Sequence, residues 1–119
     1  MIGVKLNIAE RIALMGILPS ESNVVTLRIV RDLQRDLSFT EEELKEWKIK
    51  NRIQPDGRTL FTWDIDFADE TKDISIGEVA KGIIVEQMKR LSSENRLRLE
   101  VLDLYEKFVE EKTQRGEVS

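Results

Sequence analysis

A mainly helical α+β fold is what this sequence predicts, with about five helices around a buried N-terminal helix and a small β-hairpin at about 50–67. Three observations point to it. From Ile8 to Leu18 the chain is apolar in nearly every direction around a helical axis, and only Glu10 and Arg11 carry charge. Helix-start signals recur at Asn7, Asn23 and Thr40. From Ile49 the apolar period changes from helical to alternating, about a turn at Pro55-Asp56-Gly57. A helix without a polar face must be covered on several sides, so the remaining chain wraps the first helix or a second copy completes the cover.

The first helix is expected to start at an Asn7 N-cap, with Glu10 as the reciprocal partner of a capping box, and to stop before Pro19. After the polar loop Ser20-Glu21-Ser22-Asn23, a second helix is expected over about 24–37. Its apolar side carries Leu27, Ile29, Val30, Leu33 and Leu37, and its other side Arg28, Arg31 and Arg35. Thr40 and Glu43 form a capping box for a short third helix, Phe39 and Leu44 a hydrophobic staple, and Glu41, Glu42 and Glu43 complement the positive helix end.

Beyond the Pro55-Asp56-Gly57 turn, Phe61, Trp63, Ile65 and Phe67 alternate with Leu60, Thr62, Asp64 and Asp66, the pattern of a hairpin strand with one aromatic face. Residues 69–73 read as a solvated loop. Ser75 with Glu78 offers a capping box for a fourth helix over about 77–91, although Ile74-Ser75-Ile76 is equally compatible with a short strand. Ser92-Ser93-Glu94-Asn95 interrupts, and a last helix over about 97–111 presents Leu97, Val101, Leu102, Leu104, Tyr105, Phe108 and Val109 along a broad apolar side. Residues 1–112 thus make one compact domain and residues 113–119 a loose tail.

Composition narrows the function. The formal net charge is −4 and uneven: residues 1–62 balance at +1 and residues 63–119 at −5. Bulk charge of this sign does not favour a general binder of nucleic acid or of anionic membranes. Without cysteine or histidine there is no disulfide, thiolate nucleophile, imidazole base or usual zinc ligand, so no cofactor is expected and the protein is expected not to be an enzyme. The apolar N-terminal run is broken by Glu10 and Arg11, is too short to span a bilayer and lacks a cleavage site. A cytoplasmic location follows as the expectation.

Each remaining cluster has a specific and a bland reading. Asp64 and Asp66 would share a strand face and can be imagined as divalent-metal ligands of an enzyme, but the calcium-loop spacing fails at Ala68, Asp69 and Ser75. An exposed strand kept soluble by charge is preferred. The order of three helices and a hairpin resembles a winged helix, whose reading helix would offer DNA Glu41, Glu42, Glu43 and Glu46. A nucleic-acid-associated regulator would instead use Arg28, Arg31 and Arg35, with Lys48, Lys50, Arg52 and Arg58 as a second cluster; a solvated face neutralised by Asp32 and Asp36 is the preferred reading.

Trp63 and Phe61 read as core rather than as a stacking platform. Gln87 falls inside the apolar arc of its helix and requires partners. Val85 and Leu99 point away from their own apolar arcs, and with Leu102, Tyr105 and Val109 they form the expected partner-binding set.

Glu10-Arg11 followed by Leu14 and Ile17-Leu18-Pro19, the Phe39-Thr40-Glu41-Glu42-Glu43 helix start, Trp63, and Leu104-Tyr105-Glu106-Lys107-Phe108 together resemble small proteins of unknown function from tailed phages and prophages. The resemblance implies a bacterial or viral origin, hence the host cytoplasm, and no particular activity. The function expected is a small non-enzymatic protein-interaction or assembly factor. Its first expected partner is a second copy in a homodimer, with another protein next and nucleic acid as the alternative.

Overall fold

The structure, a computed structural model, describes residues 2–110. Strand β1 (Ile2–Asn7) runs directly into helix α1 (Ile8–Ile17), and Asn7 serves as both the last strand residue and the helix cap. Its Oδ1 accepts the Glu10 N–H at 2.8 Å while Glu10 Oε1 accepts the Asn7 N–H at 3.0 Å, so the expected capping box is formed. Leu18 leaves the helix with ψ 143°, the extended geometry imposed on a residue before proline. Helix α2 (Val24–Leu37) starts at Asn23 and α3 (Glu41–Glu46) at Thr40 through its capping box with Glu43.

The hairpin follows as β2 (Lys50–Ile53) and β3 (Thr59–Thr62), joined through Pro55-Asp56-Gly57, where Gly57 adopts φ 89°. Strand β4 (Thr71–Ile76) then runs into α4 (Glu78–Ser93). The last stretch is a 3-10 turn (Leu99–Val101), a short α5 (Leu102–Tyr105) and a π-helical turn (Glu106–Glu110). Mainly helical α+β is therefore the fold, with five α-helices among the described residues.

Several local expectations are corrected. The strand expected to continue to Phe67 stops at Thr62, because the Asp64 side chain accepts the Asp66 N–H at 2.9 Å and starts a 3-10 turn over Ile65–Phe67. Thr71–Asp73, expected in a loop, belong to β4. The box between Ser75 and Glu78 is absent because Gly77 is the cap of α4. The last helix changes hydrogen-bonding pattern twice instead of running uniformly from 97. Its expected end at 111 and the tail at 113–119 lie outside the described residues.

The β1–β4 sheet was not anticipated. The strands pair antiparallel with Val4 opposite Ile74 and Lys5 opposite Asp73. Val4, Leu6, Ile74 and Ile76 face inward, while Gly3, Lys5, Asp73 and Ser75 are exposed, the alternation of a half-buried antiparallel sheet. The inner face joins Leu14, Leu33, Leu37, Ile84, Met88, Leu104 and Phe108 in the main core. Burying a side chain of this size contributes about 1.5–3 kcal/mol. A second, smaller cluster forms around Ile8, Trp47 and Ile49, with Ile12, Phe39, Phe61, Trp63 and Phe67 against it. Helix α1 belongs to both, through Leu14 on the main side and Ile8 on the hairpin side.

Candidate functional site

Arg11 lies on the stripe that α1 buries, with Ile8 and Leu14 one turn away on either side, and its relative exposure is 0%. Such burial requires partners for the guanidinium donors. Nε donates to the Leu37 carbonyl at 3.1 Å and Nη2 to the Ser38 carbonyl at 2.7 Å, so Arg11 caps the C-terminal end of α2, where carbonyls lack helical partners and a cation is favoured. Nη1 and Nη2 reach the Glu43 carboxylate at 3.2 and 3.1 Å. The Phe39 ring lies under the guanidinium, 4.2 Å from its carbon to the centroid.

Glu43 is shared among several elements. Its Oε1 also accepts the Thr40 N–H at 2.9 Å, and Lys72 of β4 approaches its Oε2 at 3.6 Å. Burial by itself raises the affinity of this carboxyl for a proton. The hydrogen bonds from Arg11 and Thr40, and the charges of Arg11 and Lys72, outweigh it and hold Glu43 below the usual carboxylate range.

The neighbouring residue of α1 makes a second long-range link. Lys107 Nζ donates to Glu10 Oε1 and Oε2 at 2.9 and 2.8 Å and to the Lys5 carbonyl at 2.8 Å, using all of its ammonium donors. Each side chain of this pair is 12% exposed. Glu10 thus ties the C-terminal stretch to the start of α1, and Arg11 ties α2 and α3 to the same helix. These charges hold elements together, and sequence reasoning missed both roles. The available signal was the i, i+3 spacing that places Arg11 among apolar residues.

The hairpin offers a different kind of surface. Its register pairs Lys50 with Thr62 and Arg52 with Leu60, and the Gln54 N–H donates to the Arg58 carbonyl at 2.7 Å. Opposed residues share a face, so Lys50, Arg52 and Arg58 lie on one side of the ribbon with Leu60 among them. Phe61 on the other side packs into the small cluster; every other residue of β2 and β3 is exposed. Arg58 is paired with Asp56 at 2.8 Å, whereas Lys50 and Arg52 make no ion pair among the described residues. Ile53 and Ile65 add exposed apolar area at 75% and 80%.

The expected partner-binding residues fall into two groups. Leu99 and Leu102 are exposed, at 86% and 41%. Val85, Tyr105 and Val109 are half-buried against the main core, so Val85 is not the outward-pointing residue that its helical phase suggests. Arg28, Arg31 and Arg35 line an exposed side of α2, and Arg31 and Arg35 approach Asp32 at 3.9 and 3.7 Å. They are carried by a different element from Lys50 and Arg52, while Lys48 pairs with Asp64 at 3.7 Å.

Asp64 and Asp66 do not share a strand face as expected, since they occupy the cap and interior of the 3-10 turn. Among the described residues, no group of three or more acidic side chains is placed to hold a metal ion. Trp63 and Phe61 belong to the small cluster, as expected. Gln87 is half-buried and lines two clefts, one of about 480 Å³ between α4 and the loop at 19–23, the other of about 420 Å³ between the end of α1, α4 and the stretch at 96–98. No described helix is long and apolar enough to cross a membrane.

No protein-family model matches the chain, and neither a curated protein nor a solved structure is significantly similar to it.

Proposed function

We propose that the protein is a small non-enzymatic interaction or assembly factor that associates with a second copy of itself or with another protein. The observation that carries this reading is the hairpin: a two-stranded ribbon anchored by Phe61 that leaves Ile53 and Leu60 in solvent, with a second exposed apolar pair, Leu99 and Leu102, at the start of the C-terminal stretch. Exposed apolar side chains rimmed by charge are the usual material of protein contacts. The resemblance to small tailed-phage proteins adds a phage or prophage origin and a bacterial host cytoplasm to the proposal. Light scattering across a wide concentration range, together with a pull-down from a bacterial host, tests it. A strict monomer with no partner recovered contradicts it.

A second reading, a nucleic-acid-associated regulator, draws support from the exposed arginines of α2 and the cationic hairpin face. It predicts salt-sensitive binding that weakens when Arg28, Arg31 and Arg35 are replaced. The six residues of α3 carry mainly carboxylates, so the basic residues, not this helix, would have to make the contacts.

A further inference from the structure

We propose that the contact between copies is heterologous, with the cationic face of the hairpin on one copy docking on the acidic, apolar stripe of the C-terminal stretch on another. The inference rests on the self-associating form of the function proposed above. The hairpin, residues 50–62, holds three cations, Lys50, Arg52 and Arg58, against the single anion Asp56, in a chain whose total charge is −4. The hairpin is therefore a basic projection on an acidic molecule. Alternate residues on a strand face stand about 7 Å apart, which places the cations of Lys50 and Arg52 in a short row beside Leu60.

The complementary pattern is on the C-terminal stretch. Leu102, Asp103 and Glu106 follow at helical spacing on one side, with Leu99 preceding Leu102 by three positions. Leu102 and Asp103 are exposed and Glu106 half-exposed. Leu60, 49% exposed, meets Leu102, 41% exposed, as the apolar centre of the contact. Lys50 and Arg52 then face Asp103 and Glu106 at the rim, where opposite charges fix register and speed association more than they add affinity. Nucleic acid satisfies the cations but not the exposed leucine, and the acidic remainder of the chain repels it, so a second copy is the better occupant.

A heterologous contact repeats from copy to copy into a closed ring, or into an open filament where the rotation does not close. In each case the two patches need opposite charge, and this is what the test uses. The full chain is compared with Lys50→Glu/Arg52→Glu and with Asp103→Lys/Glu106→Lys by sedimentation, with circular dichroism reporting the fold. Each variant alone places like charges in the contact and should self-associate about tenfold more weakly or worse. Mixing the two reversed variants restores complementarity, and they should associate with one another as strongly as the wild type with itself.

Wild-type association that neither reversal weakens, or a mixture no stronger than its components, overturns the heterologous contact while leaving an interaction function intact. A strict wild-type monomer overturns the contact and self-association together. Binding of mixed-sequence double-stranded DNA by the monomeric wild type, lost in Lys50→Glu/Arg52→Glu, assigns the hairpin face to nucleic acid and also overturns the proposal.

Discussion

Arg11 and Glu43, 32 positions apart, meet through hydrogen bonds of 3.2 and 3.1 Å, with an arginine side chain only 1% exposed. The contact lies where α1, the end of α2 and the start of α3 converge, and the same guanidinium accepts the duty of capping α2. Charged groups in such a place add little net stability over well-packed apolar ones, because their desolvation cancels much of their attraction. They do fix geometry, since a wrong register leaves a buried charge without a partner.

Removing one member should therefore be costly. Arg11→Met leaves the carbonyls of Leu37 and Ser38 without their donor and takes from Glu43 the guanidinium that pairs with it, leaving only Thr40 and Lys72, and should lower unfolding stability by about 3–5 kcal/mol. Arg11→Lys should recover only part of it, because one ammonium cannot reproduce the planar fork. Denaturant unfolding checks both, and wild-type stability in Arg11→Met would contradict the assignment.

Glu43 predicts an acid limb. Its folded carboxyl is held below its ordinary value of 4.5, so its contribution is complete above that value and is lost as pH falls through the lowered one. The difference in unfolding stability between wild type and Glu43→Gln should shrink as pH falls from 5 to about 3. A difference independent of pH over that window would contradict the ion pair.

Glu10 and Lys107 make the corresponding link for the C-terminal stretch. Lys107→Met should cost roughly 1–3 kcal/mol, less than a fully buried pair because water still reaches both groups. Amide exchange should quicken over residues 99–110 and at the start of α1 while the hairpin keeps its protection. Uniform loss of protection throughout the chain would show that the pair does not act locally.

Phe61 is the hairpin's anchor. Phe61→Ala should cost less than the roughly 3–5 kcal/mol of a fully buried phenylalanine and should free the amides of 50–53 and 59–62, leaving β1 and β4 protected. Hairpin amides as protected as in the wild type would show that another contact holds it.

Much of the fold was legible from local chemistry. The caps at Asn7, Asn23 and Thr40 act where their side chains indicate, and Pro55-Asp56-Gly57 turns as its residues require. What was not legible depends on distant partners. Val4 and Leu6 alternate as a strand does, but the strand is short and its partner begins at Thr71. Ser75 and Glu78 have capping-box spacing, yet strand pairing holds Ser75 and passes the cap to Gly77.

The same limit applies to the sites. Arg11 reads as a charge that relieves an apolar helix, whereas it is among the most enclosed side chains of that helix. Its i, i+3 relation to Ile8 and Leu14 was visible, but the acceptors that make burial tolerable come from the ends of other helices. The cations of the hairpin were visible too. Their placement on one face required the register of β2 with β3.

The most direct measurement is a double-mutant cycle on Arg11→Met and Glu43→Gln, read by denaturant unfolding at neutral pH. If this pair couples α1 to the start of α3, the two changes should be non-additive by about 2 kcal/mol, with the second costing little once the first is present. Additivity within about 0.5 kcal/mol would mean that the two side chains act independently, and that the junction of the helices is held by something else.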